Sequence, residues 1–196
     1  MERIFNHQGK KADILRASIR LFAEGGYDSV SVRDIAKAAG VTQAALYKHF
    51  AGKEQMSLYL FQEIVGVYCS GIRQIMEQRA DALGKLQQVV ALTFDLYQAH
   101  PEEIRFALLS QHRFWDLVTD DLRPHLLIKS ILEQGMEAEL IPRDEVYLLI
   151  TVFTGLLQEP LAQYPYFADV LPELPVLKER IMAKVPKLLG GMEVRR

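Results

Sequence analysis

The stretch DIAKAAGVTQAALYKHF, residues 34–50, places two short apolar patterns around one glycine and ends in Tyr47, Lys48, His49 and Phe50. Just ahead of it, SVRD at 31–34 reads as an N-cap serine with an acid three residues on, a capping-box-like helix start. Val32, Ile35, Ala36 and Ala39 give the helix that follows an inward side. Gly40 can adopt the positive φ of a tight turn, and Thr42 offers a hydroxyl cap to a third, short helix. A helix, a turn of about three residues holding a glycine, and a second short helix form the helix-turn-helix pattern.

In that motif the second helix enters the major groove, its N-terminal residues nearest the base edges. With Val32, Ile35, Ala36, Val41, Leu46 and Phe50 packed inward onto Leu21 and Phe22, the outer side of 42–49 carries Thr42, Gln43, Ala44, Tyr47, Lys48 and His49. Ser31 and Thr42 bring hydroxyls and open backbone N–H groups to helix N-termini, which favour phosphate. The Gln43 amide can pair with an adenine edge. Ala44 is small enough for close approach to the groove. Tyr47, Lys48 and His49, with Lys53 from the next helix start, suit backbone oxygens. For Arg33, phosphate contact and plain solvation both fit.

Charge agrees with this reading. The 196-residue chain has a net charge of −2, yet residues 1–55 hold nine of its 23 Lys+Arg and only six of its 25 Asp+Glu. A basic module beside an acidic body suits contact with a polyanion.

Working outward, Ile14, Ala17, Ser18, Leu21 and Phe22 follow helical spacing, predicting a helix over 9–24 that stops at Gly25-Gly26. Amphipathic segments follow at 53–79, 82–99, 102–117, 121–140, 144–161 and 173–189, with breaks at His100-Pro101, Ile141-Pro142 and the proline-bearing EPLAQYPYFADVLPELP. Pro186 is expected to interrupt the last one. Strand alternation is absent. The fold class is therefore all-α: a three-helix helix-turn-helix domain over 1–52 and a larger helical domain over 53–196. The apolar content of 49% supports a real core. No apolar run is long enough to span a membrane, and the N-terminus lacks the apolar region of a secretory signal. A single cysteine, Cys69, in an apolar helical pattern reads as a buried structural thiol and fits a cytoplasmic location.

The segment LFAEGGYDSVSVRDIAKAAGVTQAALYKHFAGKEQM, residues 21–56, with the helix preceding it, resembles the TetR family of bacterial transcriptional regulators. The match includes Gly26-Tyr27, Asp34-Ile35-Ala36, Ala39-Gly40-Val41, Leu46-Tyr47, His49-Phe50 and Lys53-Glu54. Ala44 departs from the glycine or proline that members often carry there. The resemblance implies an all-helical homodimer that represses transcription from a double-stranded DNA operator until a small-molecule effector separates the reading heads. Segments 121–140 and 144–161, or 144–161 and 173–189, are long enough to pair with a second copy; the resemblance favours the last two, with Leu148, Leu149, Val152, Leu156, Leu157, Ile181, Val185 and Leu188 as candidates. Phe94, Tyr97, Phe106, Gln111, His112, Trp115, Tyr147 and Thr151 become candidates for the effector pocket, although aromatics at helical spacing are also ordinary core. The rival reading is a helical small-molecule-binding protein whose N-terminal module no longer binds DNA. No cofactor is implied. HPEE at 100–103 lacks metal-ligand spacing and reads as a helix start. No nucleophile, phosphate loop or acid/base pair offers a catalytic centre, so an enzyme is not expected.

Overall fold

The computed structural model describes Ile4 and residues 7–190. Arg3, counted in the basic surplus above, lies outside them. The described residues form helices α1 (Gly9–Gly25), α2 (Val32–Ala38), α3 (Gln43–Tyr47), α4 (Lys53–Met76), α5 (Ala82–Ala99), α6 (Pro101–Phe114), α7 (Pro124–Glu137), α8 (Val146–Phe167), α9 (Leu174–Met182) and α10 (Val185–Leu189), with two short 3-10 turns after α6 and no strand. They divide into two compact units, one running to Val67 and resuming over Ala99–Leu122, the other made of Tyr68–Gln98 and the residues from Arg123 onward. The units therefore cut α4 partway and take α6 into the N-terminal unit, a grouping that short-range spacing does not signal.

In the first unit, α1 buries Ile14, Ala17, Ser18 and Phe22 as its spacing predicts, and also Leu15 and Ile19, while Leu21 stays half-buried. The buried side is wider than one stripe because α6 packs on α1 as well as α2. The Phe22 and Phe106 rings stack with centroids 5.5 Å apart. Phe106 is thus part of the core of this unit. Ser18, fully buried, donates its hydroxyl to the Ile14 carbonyl at 2.7 Å, so burial leaves no polar atom stranded. Gly26, at φ 77°, ends α1 as expected.

The second unit is an apolar core fed by α5 (Leu86, Val89, Val90, Phe94), α7 (Ile128, Ile131, Leu132), α8 (Phe153, Leu157, Leu161) and α9 (Leu177, Ile181). The half-buried Tyr68 and the buried Thr93 lie 2.9 Å apart, with the Thr93 hydroxyl donating to the Val89 carbonyl. Burial pushes the Tyr68 phenol above its ordinary pKa, so it remains a neutral donor. Cys69 is buried, in keeping with a structural thiol.

One helix runs past its expected end, and another divides where its proline predicts. α8 does not stop near 161 but continues through Pro160 and Pro165 to Phe167. An interior proline costs about 3 kcal/mol; the inner row Phe153, Leu157 and Leu161 offsets this by burial at Pro160, whereas Pro165 lies beyond it in an exposed last turn. The segment 173–189 divides into α9 and α10 just before Pro186, as its ring requires. Of the expected pairing residues, Leu149, Leu157, Ile181 and Val185 are core of their own unit, whereas Leu148, Val152 and Leu188 face outward. Adjacent residues on a helix point about 100° apart, and here Leu149 falls on the buried side of α8 while Leu148 falls on the exposed one.

Truncating Phe106 to alanine is expected to cost roughly 3–5 kcal/mol in urea unfolding, as for a buried aromatic. A loss below about 1 kcal/mol would show that the ring lines a space rather than filling the core.

Candidate nucleic-acid interface

The site is assembled from local hydrogen bonds. The Ser31 hydroxyl accepts from the Asp34 N–H at 3.2 Å, while the Asp34 carboxylate accepts from the Ser31 N–H at 3.0 Å and from its hydroxyl at 2.5 Å. Both halves of the capping box are present. Hydrogen bonds from the Ser31 side chain and backbone hold the Asp34 carboxyl below the ordinary carboxylate range. Ser31 is thereby spent on α2 itself: its hydrogen goes to Asp34, and a phosphate would have to displace a carboxylate to reach it. Here the structure departs from the expected phosphate role of Ser31.

Gly40, at φ 66°, turns the chain from α2 into α3. Thr42 caps α3 by accepting from the Ala45 N–H at 3.1 Å, which leaves its own hydroxyl hydrogen free to donate outward. Leu46 is fully buried and Phe50 nearly so, whereas Val41 and Ala45 are half-buried. Thr42, Gln43, Ala44, Tyr47, Lys48 and His49 are exposed, Tyr47 by 52%. Positions 43, 44, 47 and 48 recur at helical spacing and share one side. Six of the nine residues expected at DNA therefore lie together on the outside of α3. Arg33 is exposed on α2, four residues from Lys37, and both of its readings stand.

Lys53 has a different task from the one expected. Its ammonium donates to the carbonyls of Tyr27 and Val30, at 2.9 Å each, and stands 4.1 Å from the centre of the Tyr27 ring. Two of its three donors hold the loop between α1 and α2, so it braces the motif rather than reaching out of it. Sequence spacing gave no hint of this, because the partners lie 23 and 26 residues away. The same holds for Lys11, whose ammonium lies 4.3 Å from the Tyr59 ring centre; the Tyr59 ring in turn lies 5.7 Å from that of Phe50, which closes the end of α3.

Residues 14–60 match the family model of bacterial regulatory proteins, tetR family. That segment is a TetR-type module. The chain is 28% identical over 144 residues to the HTH-type transcriptional repressor KstR2 of Mycobacterium tuberculosis, covering 70% of this chain and 72% of that one. Among solved structures, the fatty acid degradation regulator FadR from Bacillus halodurans superposes with a TM-score of 0.78 at 26% identity, over 97% of this chain and 100% of that one. The Bacillus subtilis regulator FadR in complex with stearoyl-CoA shares the fold, with a TM-score of 0.69 at 23% identity over 89% of this chain and 96% of that one. These relatives are transcription regulators, and a DNA-binding role follows for the TetR-type module of this chain.

The residues expected to line an effector pocket are distributed between the units. Phe94 and Tyr97 are buried on α5 in the second unit. Phe106 is core in the first, where Gln111 and Trp115 are half-buried and His112 is exposed. Tyr147 is 58% exposed on α8, and Thr151, also exposed, donates to the Leu148 carbonyl at 2.7 Å. Tyr147 and Thr151 therefore stand on an outward face, not on the buried side that Phe94 and Tyr97 occupy. Among the described residues no group of three or more His, Cys, Asp or Glu side chains is placed to hold a metal, and no helix is long and apolar enough to cross a membrane.

Lys48 and Lys53 should separate in solution. Lys48→Ala is expected to weaken duplex binding and to lower the slope of log affinity against log salt by about 1, as for a lost phosphate contact. Lys53→Ala is expected to leave that slope unchanged and to cost roughly 1–3 kcal/mol of stability through lost charge-assisted hydrogen bonds. Fluorescence anisotropy across a salt series, with urea unfolding alongside, reads both; a slope change for Lys53→Ala would put its ammonium on DNA.

Proposed function

We propose that this chain is a homodimeric repressor that holds a double-stranded DNA operator through Thr42, Gln43, Ala44, Tyr47, Lys48 and His49 of each copy, and that a small-molecule effector releases it. Residues 1–52 would form the reading module and 53–196 the effector-binding and pairing body, acting in the cytoplasm where the operator lies. The observation that carries this reading is the two-sided character of α3: Leu46 and Phe50 point inward while every residue suited to DNA points out. Tyr47 and Gln43 have no structural task on the outside of α3 that would otherwise explain them.

Pairing is supported by the outward side of α8. Tyr147, Leu148 and Val152 are exposed there, 58%, 53% and 43%, and Leu188 of α10 is exposed as well. Apolar side chains of this size in one stretch suit a symmetric interface better than water. A Cβ at Gly155, further along α8, would meet nothing within 4 Å, so another backbone can approach there. Tyr147 thus moves from the effector pocket to the pairing face.

For the effector, an acyl-CoA thioester is the class we favour, since the B. subtilis FadR structure holds stearoyl-CoA and the B. halodurans relative regulates fatty acid degradation. The buried side of α5 with Phe94 and Tyr97 offers an acyl chain the apolar contacts it needs. Release then follows from population shift: the effector must bind better to the conformation whose reading heads do not fit the operator.

Titration of stearoyl-CoA into a complex of the protein with duplex DNA that it has selected from a randomised library tests the reading. Release of DNA is expected, together with a raised melting temperature, since a ligand at 100 times its dissociation constant adds about 2.7 kcal/mol to the folded state. Failure to select any duplex at low salt would overturn the regulator reading; selection without release by acyl-CoA would overturn the effector class.

A further inference from the structure

The loop from Gly26 to Ser31 joins α1 to α2, and everything downstream in the reading module hangs on where it delivers the chain. Val30 is buried, Ser31 caps α2, and α2 packs against α3. One ring in this loop, Tyr27, gathers an unusual set of neighbours. Lys53, at the start of α4, stands 4.1 Å from its centre. The guanidinium of Arg113, at the end of α6, stands 4.2 Å from the same centre. Phe22 of α1 lies tilted at 5.6 Å and Phe114 of α6 meets it edge-on at 6.2 Å.

Two cations sharing one ring would repel each other unless each were anchored separately, and each is. Lys53 donates to the loop carbonyls of Tyr27 and Val30, and Arg113 donates to both carboxylate oxygens of Asp28, at 2.9 and 3.2 Å. The Arg113–Asp28 pair is open to water, with Asp28 84% exposed, and an exposed ion pair by itself constrains little. The ring face is what makes the grip firm: a guanidinium laid on an aromatic face is held by the ring's quadrupole as well as by charge. The loop is therefore gripped by two elements far apart in sequence, neither of them on the outer side of α3.

We infer that Arg113 is a positioning residue for DNA binding, acting through Tyr27 and Asp28 to fix the loop that launches the helix-turn-helix. The inference rests on the DNA-reading role proposed above. Arg113 touches no base and no phosphate in this account; it narrows the range of attitudes α2 and α3 take before they meet the duplex. Loss of the grip leaves the outer side of α3 chemically intact but less well aimed.

Full-length wild type and the variants Arg113→Ala, Arg113→Lys, Tyr27→Phe and Tyr27→Leu are compared on the duplex that the wild type selects from a randomised library, across a salt series and with thermal melts. Arg113→Ala and Tyr27→Leu are expected to weaken binding roughly fivefold, the size of one partly exposed cation–ring contact. Tyr27→Phe keeps the ring face and should bind like wild type, with Arg113→Lys in between. The salt slope should be unchanged in all four. If Arg113→Ala does not fold, the Tyr27→Phe and Tyr27→Leu pair still decides: equal binding by both overturns the inference. A slope lowered by about 1 in Arg113→Ala would overturn it too, by placing Arg113 on a phosphate. If the wild type selects no duplex, the regulator reading falls and the positioning role falls with it; if it selects one and the variants bind it equally, only the positioning role fails.

Discussion

A helix of five residues makes too few backbone hydrogen bonds to offset the cost of its own nucleation, so α3 cannot exist alone. It is held by the burial of Leu46 and Phe50 at one side, by the Thr42 cap at its start, and by α2 beneath it. Because Leu46, Phe50 and α2 lie on the inner side, and the Thr42 cap leaves its hydroxyl hydrogen free, the outer side is released from packing duty. That is the constraint on which the function depends: a surface that must conform to another molecule has to be presented by something that does not itself move. The short length is part of the same logic, since a brief helix inserts into a groove without its ends colliding with the walls.

The packing around this helix explains why α6 belongs with the reading module. Phe106 stacks on Phe22, Phe114 lies 5.5 Å from Phe61 and meets Tyr27 edge-on, and Arg113 reaches the α1–α2 loop. Aromatic pairs of this kind add roughly 0.5–1.5 kcal/mol each beyond the area they bury. A three-helix module has little interior of its own. By recruiting α6 and the first half of α4 it acquires a core large enough to keep α1 and α2 fixed.

What the sequence disclosed was whatever depends on short spacing. The capping box at Ser31 and Asp34, the turn at Gly40, the Thr42 cap, the inward Leu46 and the division before Pro186 are all decided within about four residues of chain. What it withheld depends on long-range packing. The second apolar side of α1 is invisible until α6 arrives; Lys53 looks like any basic residue near a DNA-binding helix until its loop carbonyls are in place. Phe106 and Tyr147 share the same helical spacing, and only burial distinguishes a stacked core ring from one standing in water. Pro160 of α8 misled for the opposite reason: a local rule was outweighed by the inner row that keeps the helix wound.

The most direct measurement is amide hydrogen exchange of the full chain with and without the duplex it selects. Added protection is expected to concentrate over residues 42–49, with the outward α8 residues Tyr147, Leu148, Thr151 and Val152 unaffected by DNA. Protection that spares 42–49, or that falls chiefly on the α8 face, would contradict the DNA-reading role of α3.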